Sequence, residues 1–280
     1  MKHLLLFFSG LVLLALPAGT IRLFAQHSSS ERFTRHNNAM ATRQPSFITP
    51  LVGIDPRLVQ YTRFSFSHEY TSAGAETVNY GNGRGSGIIV GNRLELDFIE
   101  PPYIQHNSAA EDGFGDMAVL AKYRVASANA ESGNYDVALI LNHCFATGSP
   151  QNGAATDSFG PSLAAGYAFH RLDVISSLGG TLPTEKIAKQ GRTIAWNTES
   201  QVHIKQHLWL EVENNATYFA GGSHDGWMQN FVTPAAFYVI RGKSWKPTRP
   251  FFIVDGGMQI ATSGFHTYNH NLITEVRVLF

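Results

Sequence analysis

His143 is the first residue that invites a chemical reading. It follows Asn142 toward the outer end of an alternating stretch, and its parity turns it outward. An imidazole works as a general base only with a nucleophile within hydrogen-bond reach. The serine such a dyad needs two residues further on is absent, because that position is Phe145. His266 and His270 are four residues apart, and His224 stands beside Asp225. On a helix, a four-residue spacing would put two imidazoles on one face, where they could hold a metal. In Gly- and Asn-rich loops the same spacing fixes nothing. Gly81 to Gly87, GNGRGSG, is followed by no helix that could hold a phosphate. Cys144 is the only cysteine, which excludes an internal disulfide and a thiolate metal cluster. No catalytic residue, cofactor or metal is expected.

The remaining chemistry-bearing residues are charges that alternate with apolar side chains. Arg93, Glu95 and Asp97 oppose Leu94, Leu96 and Phe98. Lys122 and Arg124 oppose Ala121, Tyr123 and Val125. Glu199, His203 and Lys205 oppose Val202 and Ile204. Glu211 and Glu213 oppose Leu210 and Val212, with Trp209 on the charged side. Glu275 and Arg277 oppose Val276, Val278 and Phe280, and Asp255 belongs to the segment before. A period of two puts alternate residues on opposite faces of a strand. A charge facing hydrocarbon costs about 2–4 kcal/mol at the mid-plane of a membrane barrel. The charged faces therefore point inward, and the interior is expected to be polar. Both signs occur there and can pair across a lumen. Two uses follow: a mixed-charge constriction that sets what passes, or a salt-bridge network filling a narrow barrel.

Twelve alternating segments carry these residues: approximately 58–70, 80–90, 93–105, 115–126, 134–146, 158–169, 172–183, 192–205, 208–220, 230–241, 250–262 and 269–280. Each is near the roughly 9–11 residues of a tilted membrane strand. Parity within 58–70 is ambiguous. Gly91-Asn92, His170-Arg171 and Gln206-His207 are tight turns, and the connections between them are longer and richer in Gly, Ser, Asn and Asp. That alternation predicts an all-β, single-chain transmembrane antiparallel up-and-down β-barrel of about twelve strands. Tyr103, Phe145, Phe159, Tyr218, Phe219, Trp227 and Phe231 fall toward the long-loop side, and Phe169, Phe251 and Phe252 toward the short-turn side. They are expected to form two interfacial belts.

Composition agrees. Lys and Arg number 21 and Asp and Glu 21, so charge gives no argument for nucleic acid or another polyanion. Only 15% of residues are charged, against about a quarter in a typical soluble domain. Lys2, the apolar run Leu4 to Leu16 and the small residues behind it read as a cleaved secretory leader over 1–25, with Ala18 an alternative cut. Residues 26–57 show no sustained period and read as a flexible segment, with Ile48, Leu51, Val52 and Ile54 able to pack as a short plug. The barrel is expected over 58–280.

Gly113-Phe114-Gly115-Asp116, leading into a strand that ends Lys122-Tyr123-Arg124, resembles the outer-membrane family of meta-pathway phenol degradation proteins, also called transporters. Phe145-Ala146-Thr147-Gly148 is similar to that family's Pro-Thr-Gly element, with Ala146 in place of Pro. Leu182-Pro183-Thr184-Glu185 is similar too, with Glu185 where Gly is usual. Leu210 to Asn215 and Phe231 to Pro234 follow in the family's order. The resemblance implies a bacterial outer-membrane barrel acting as a passive channel. The phenol association is not carried over. Gly113 and Gly115 permit a tight loop exit, and Asp116 can cap backbone N–H groups or place a negative charge at the rim. The expected function is a channel for small solutes, with hydrophobic or aromatic compounds among the candidates. The alternatives are a closed structural or partner-binding barrel and, behind it, a barrel lipid hydrolase. Expected partners are outer-membrane lipid, a small solute and the barrel-assembly machinery, the last through Val276, Val278 and Phe280.

Overall fold

The structure is a computed structural model that describes residues 36–37, 39–241 and 251–280. The expected leader lies outside the described residues. The strands are β1 (Tyr61–Tyr70), β2 (Glu76–Tyr80), β3 (Gly85–Val90), β4 (Leu94–Ile99), β5 (Tyr103–His106), β6 (Gly113–Phe114), β7 (Met117–Ala128), β8 (Tyr135–Phe145), β9 (Ser158–Phe169), β10 (Leu172–Pro183), β11 (Arg192–Lys205), β12 (Leu208–Ala220), β13 (Met228–Ile240), β14 (Phe251–Ala261) and β15 (His270–Leu279). All belong to one antiparallel sheet, and β15 returns to pair with β1 from Tyr61↔Leu279 to Tyr70↔His270. Closure leaves the wall no free edge.

The fifteen segments make twelve wall strands, because β2/β3, β4/β5 and β6/β7 are single strands broken at one level. Above the break β2 pairs with β5 and β5 with β6; below it β3 pairs with β4 and β4 with β7. The third strand breaks at Pro101-Pro102, which have no N–H to give a ladder. Arg84 bridges the break, donating from Nη2 to the Pro101 carbonyl at 2.7 Å and pairing with Glu100 at 3.3 Å. At the short-turn end the two-residue turn at His170 holds a non-glycine residue at φ 58°. Its conformation matches the twist that tight hairpins demand.

The pleat sorts the faces as the alternation predicts. Leu139, Tyr123, Leu210 and Val276 are exposed on the outside, while Ala138, Lys122, Glu211 and Glu275 are buried. In β1 the parity resolves with Ser65 and Ser67 buried inside and Phe64 exposed outside. Tyr61 points inward because its hydroxyl donates to Asp97 at 3.1 Å.

Several expectations are corrected. The interior is not polar throughout: Trp209, Phe237, Val239, Ile253 and Ile273 form an apolar arc of the inner wall. Phe231 and Phe251 leave the expected belts. Phe231 is buried and stacked on Tyr268, and Phe251 packs against the apolar arc. Phe219 joins His224, Trp227 and Phe265 in an aromatic cluster at the long-loop end. Arg93 and Lys205 are exposed rather than lumenal. Arg93 sits in the turn before β4, and a register shift between His203 and Lys205 breaks the parity that would carry Lys205 inward. Finally, residues 44–57 are the short plug rather than a loose tail and run inside the barrel, while 39–43 sit at the short-turn rim, where Ser127 and Asn129 donate to the carbonyls of Arg43 and Thr42.

Candidate functional site

A backbone packed against the inner wall of a barrel must have its N–H and C=O groups paired, and here wall side chains pair many of them. Pro45, Pro50 and Pro56 reduce the number of donors in this segment, and Pro50 and Pro56 are fully buried. The segment also holds itself together. Arg57 pairs with Asp55 at 2.7 Å and lies over the Phe47 ring at 4.5 Å. Thr49 donates its hydroxyl to Asp55 at 2.5 Å. Burial pushes the Asp55 carboxyl up, but the charge and hydrogen bond of Arg57, the charge of Lys122 and the Thr49 hydroxyl together outweigh burial and leave it at about 2.

Lumen side chains grip the rest, and most come from the expected charged faces. Glu213 accepts from the N–H of Val52 at 2.8 Å and of Gly53 at 2.9 Å, and Glu211 from that of Leu51 at 3.2 Å. Arg277 donates to the carbonyls of Thr49 at 2.5 Å and Pro50 at 2.8 Å. Lys122 donates to the Arg57 carbonyl at 2.9 Å and pairs with Glu95 at 2.8 Å; Glu95 in turn accepts from the Val59 N–H. Arg124 reaches Gln44 at 3.1 Å. Glu275 and Asp255 pair with Arg277, Asp255 at 3.5 Å. Glu199 is fully buried with neither carboxylate oxygen hydrogen-bonded among the described residues, and it packs against Gly53 so closely that a Cβ there would overlap it. His203 stacks on Trp209 at 4.1 Å. The charged faces thus meet a common occupant, the N-terminal segment, rather than only one another.

Gln201 is a functional residue the charge pattern misses. Its amide accepts from the Ile48 N–H at 3.1 Å and donates to the Ile48 carbonyl at 2.9 Å, reading the segment like one rung of a ladder. Its inward parity between Glu199 and His203 was the available signal. Asp136 and Asp173, both buried inside, are further members that the same parity locates.

Two cavities flank the segment. One of about 310 Å³ lies toward the short-turn end between the segment and the apolar arc. The other, about 160 Å³, lies against β1, β4 and β7. They share Thr49, Val59 and Leu279 as lining residues.

The Gly113, Gly115 and Asp116 element is elsewhere, at the long-loop end. Asp116 accepts from the N–H of Gly148 at 2.7 Å and of Ala154 at 2.6 Å, fastening the loop between β8 and β9. Gly148 and Gly153 approach each other and the Asp116 carboxylate too closely for any side chain.

A sequence model of the family described as "Putative MetA-pathway of phenol degradation" matches residues 56–209. The chain belongs to this family. No curated protein matches it. Among solved structures, the chain is similar to an outer membrane channel from Pseudomonas putida F1, at 11% identity and a TM-score of 0.54, over 79% of this chain and 95% of that one. It is also similar to the NanC porin, at 9% identity and a TM-score of 0.50, over 79% of this chain and 98% of that one. At these identities the likeness is one of fold, an outer-membrane barrel. The family match stops at Trp209, near the start of β12, so the Glu211, Glu213, Asp255 and Arg277 contacts lie beyond it.

Proposed function

We propose that the protein is an outer-membrane channel for small solutes whose lumen is occupied, in this state, by its own N-terminal segment. The observation that carries the reading is the chain of buried and half-buried contacts from Glu95, Lys122, Glu211, Glu213 and Arg277 to residues 49–59. The segment fills the lumen by hydrogen bonds to side chains, with cavities along its flank, and is not part of the wall's own ladder. Such an occupant can yield without breaking a wall strand. The expected charged constriction is then the surface the segment covers. Export by a leader over 1–25 and insertion through Val276, Val278 and Phe280 belong to the same reading.

The filled lumen equally favours a second reading, a closed structural barrel. Planar-bilayer conductance decides between them. The channel reading expects discrete openings from the folded full chain, and larger, steadier ones once residues 26–57 are deleted. Silence from both proteins, each shown to be folded by heat-modifiable mobility, would leave the closed barrel. A lipid hydrolase finds no support around His143, which stacks on Phe159 at 4.5 Å and lies 3.4 Å from Asp157, with Phe145 where a nucleophile is needed.

A further inference from the structure

We infer that the rim at Arg192, with Lys186 and Lys189 of the connection before it, is a docking site for a lipid that carries more than one phosphate. The site needs the barrel to lie in a bilayer and does not depend on an open lumen, so it stands apart from the channel reading. Of the long connections, only the one between β10 and β11, residues 184–191, contains a Lys or Arg. Arg192 opens β11 directly after it and is exposed, as are Lys186 and Lys189. Its parity is that of Ile194 and Trp196, both exposed on the outer face of the same strand. From Arg192 down to Lys205, β11 runs 14 residues, about 30 Å along the membrane normal at a strand tilt of ~45°. That exceeds the apolar band of about 25 Å. A guanidinium at the top of β11 therefore emerges among headgroups, while Ile194 and Trp196 beneath it meet acyl chains.

Among the described residues none of the three cations is in an ion pair with a carboxylate. Lys186 donates to the Ala155 carbonyl at 3.3 Å, which leaves its charge unbalanced. Glu185 is the one acid among them. In the neighbouring connections Asp157 faces His143 at 3.4 Å, and Asp225 accepts the Gly221 N–H at 2.6 Å. The rim is also held in place. Thr156 donates its hydroxyl to Gln190 Oε1 at 3.0 Å, and Gly191 meets the Gly221 carbonyl too closely for any side chain. Cations already held cost less to order around a ligand. Phosphate answers this chemistry, since a guanidinium fits two of its oxygens at once and ammonium groups add point charges. Apolar surface continues sideways to Leu182 on β10 and to Tyr218, which stands opposite Ile194 on β12. The site therefore rewards a phosphate attached to acyl chains over a free one.

The test uses the full chain folded in detergent, with lipid A, its monophosphoryl form and phosphatidylethanolamine as probes and native mass spectrometry as the readout. Lipid A is expected to stay bound at one copy per barrel, the monophosphoryl form more weakly, and phosphatidylethanolamine not at the same concentration. Arg192→Gln should weaken lipid A about tenfold, the lower end of what one hydrogen bond between charged groups is worth. Lys189→Gln should weaken it as well, which keeps the test sharp if Arg192→Gln folds poorly. Lys205→Gln, at the opposite rim, should leave it unchanged. With 5-fluorotryptophan in the chain, the Trp196 resonance should shift with lipid A, and that of lumenal Trp209 should not. Equal binding of all three lipids, unchanged affinity in both Arg192→Gln and Lys189→Gln, or a Trp196 resonance that never moves would each overturn the proposal. Complete displacement of lipid A by millimolar pyrophosphate would overturn it too, since the site would then take soluble anions rather than lipid.

Discussion

A carboxylate inside a barrel must find donors, and Glu213 finds them in the N–H groups of Val52 and Gly53 and the amide of Asn215 at 3.2 Å. Asp55 solves the same problem with Arg57, and its solution has a pH signature. Its carboxyl falls from the ordinary 3.8 to about 2, so the ionised group, held by Arg57, Lys122 and Thr49, stabilises the folded state by about 2 kcal/mol where the unfolded carboxylate is ionised. That contribution is fully present above about pH 4 and lost as pH falls through about 2. The stability difference between wild type and Asp55→Asn should stay constant from pH 7 to 5 and vanish near pH 2. A difference already gone at pH 5 would mean that Arg57 does not hold the carboxylate. At the other end, Asp116→Ala removes the acceptor for two loop N–H groups, each hydrogen bond to a charged group being worth about 1.5–3 kcal/mol. Limited proteolysis should then cut residues 146–157 faster, with the wall intact; an unchanged rate would assign the loop's order to other contacts. Inward charge was legible one residue at a time, because parity alone places Glu95, Lys122 or Arg277. Parity failed at Arg93 and Lys205, where a turn and a register shift interrupt the pleat.

At the scale of elements, strands announce themselves through a local period and the plug does not. Ile48 meets Gln201 across 153 residues of chain, and Leu51 meets Glu211 across 160. Order of this kind is imposed by a wall that the segment's own neighbours do not encode, so a Pro-spaced, aperiodic stretch reads as loose. Ile48, Leu51, Val52 and Ile54 were the visible hint; Ile48 and Leu51 are buried, Ile54 is half-buried and Val52 is exposed. Gly53 is where the fit is tightest. A side chain there must displace Glu199 or the segment itself. Gly53→Val should therefore raise conductance toward that of the plug-deleted protein, while Gly74→Ala, in an open loop, should leave it unchanged. Equal conductance in wild type and Gly53→Val would detach the segment from gating.

For the whole molecule, the outer face is set by what lipid requires. Leu139 is 52% exposed on the mid-wall of β8, and arginine there should cost about 2–4 kcal/mol of folding into bilayers. Phe280 acts at the seam. Its backbone N–H donates to the Gln60 carbonyl at 3.2 Å while the residue stays 48% exposed. Deleting Phe280 should lower the yield of assembled barrels in cells and leave the conductance of those that form nearly unchanged; a normal yield would place the assembly signal elsewhere.

The pairing of β1 with β15 also fixes an order in time. Strands are made from β1 onward, so β1 has its second partner only after every other strand exists. A chain halted anywhere before β15 is an open sheet with two sticky margins, each a row of unmatched donors and acceptors. No chain that stops short of β15 can close the wall, so the last strand decides whether there is a barrel at all.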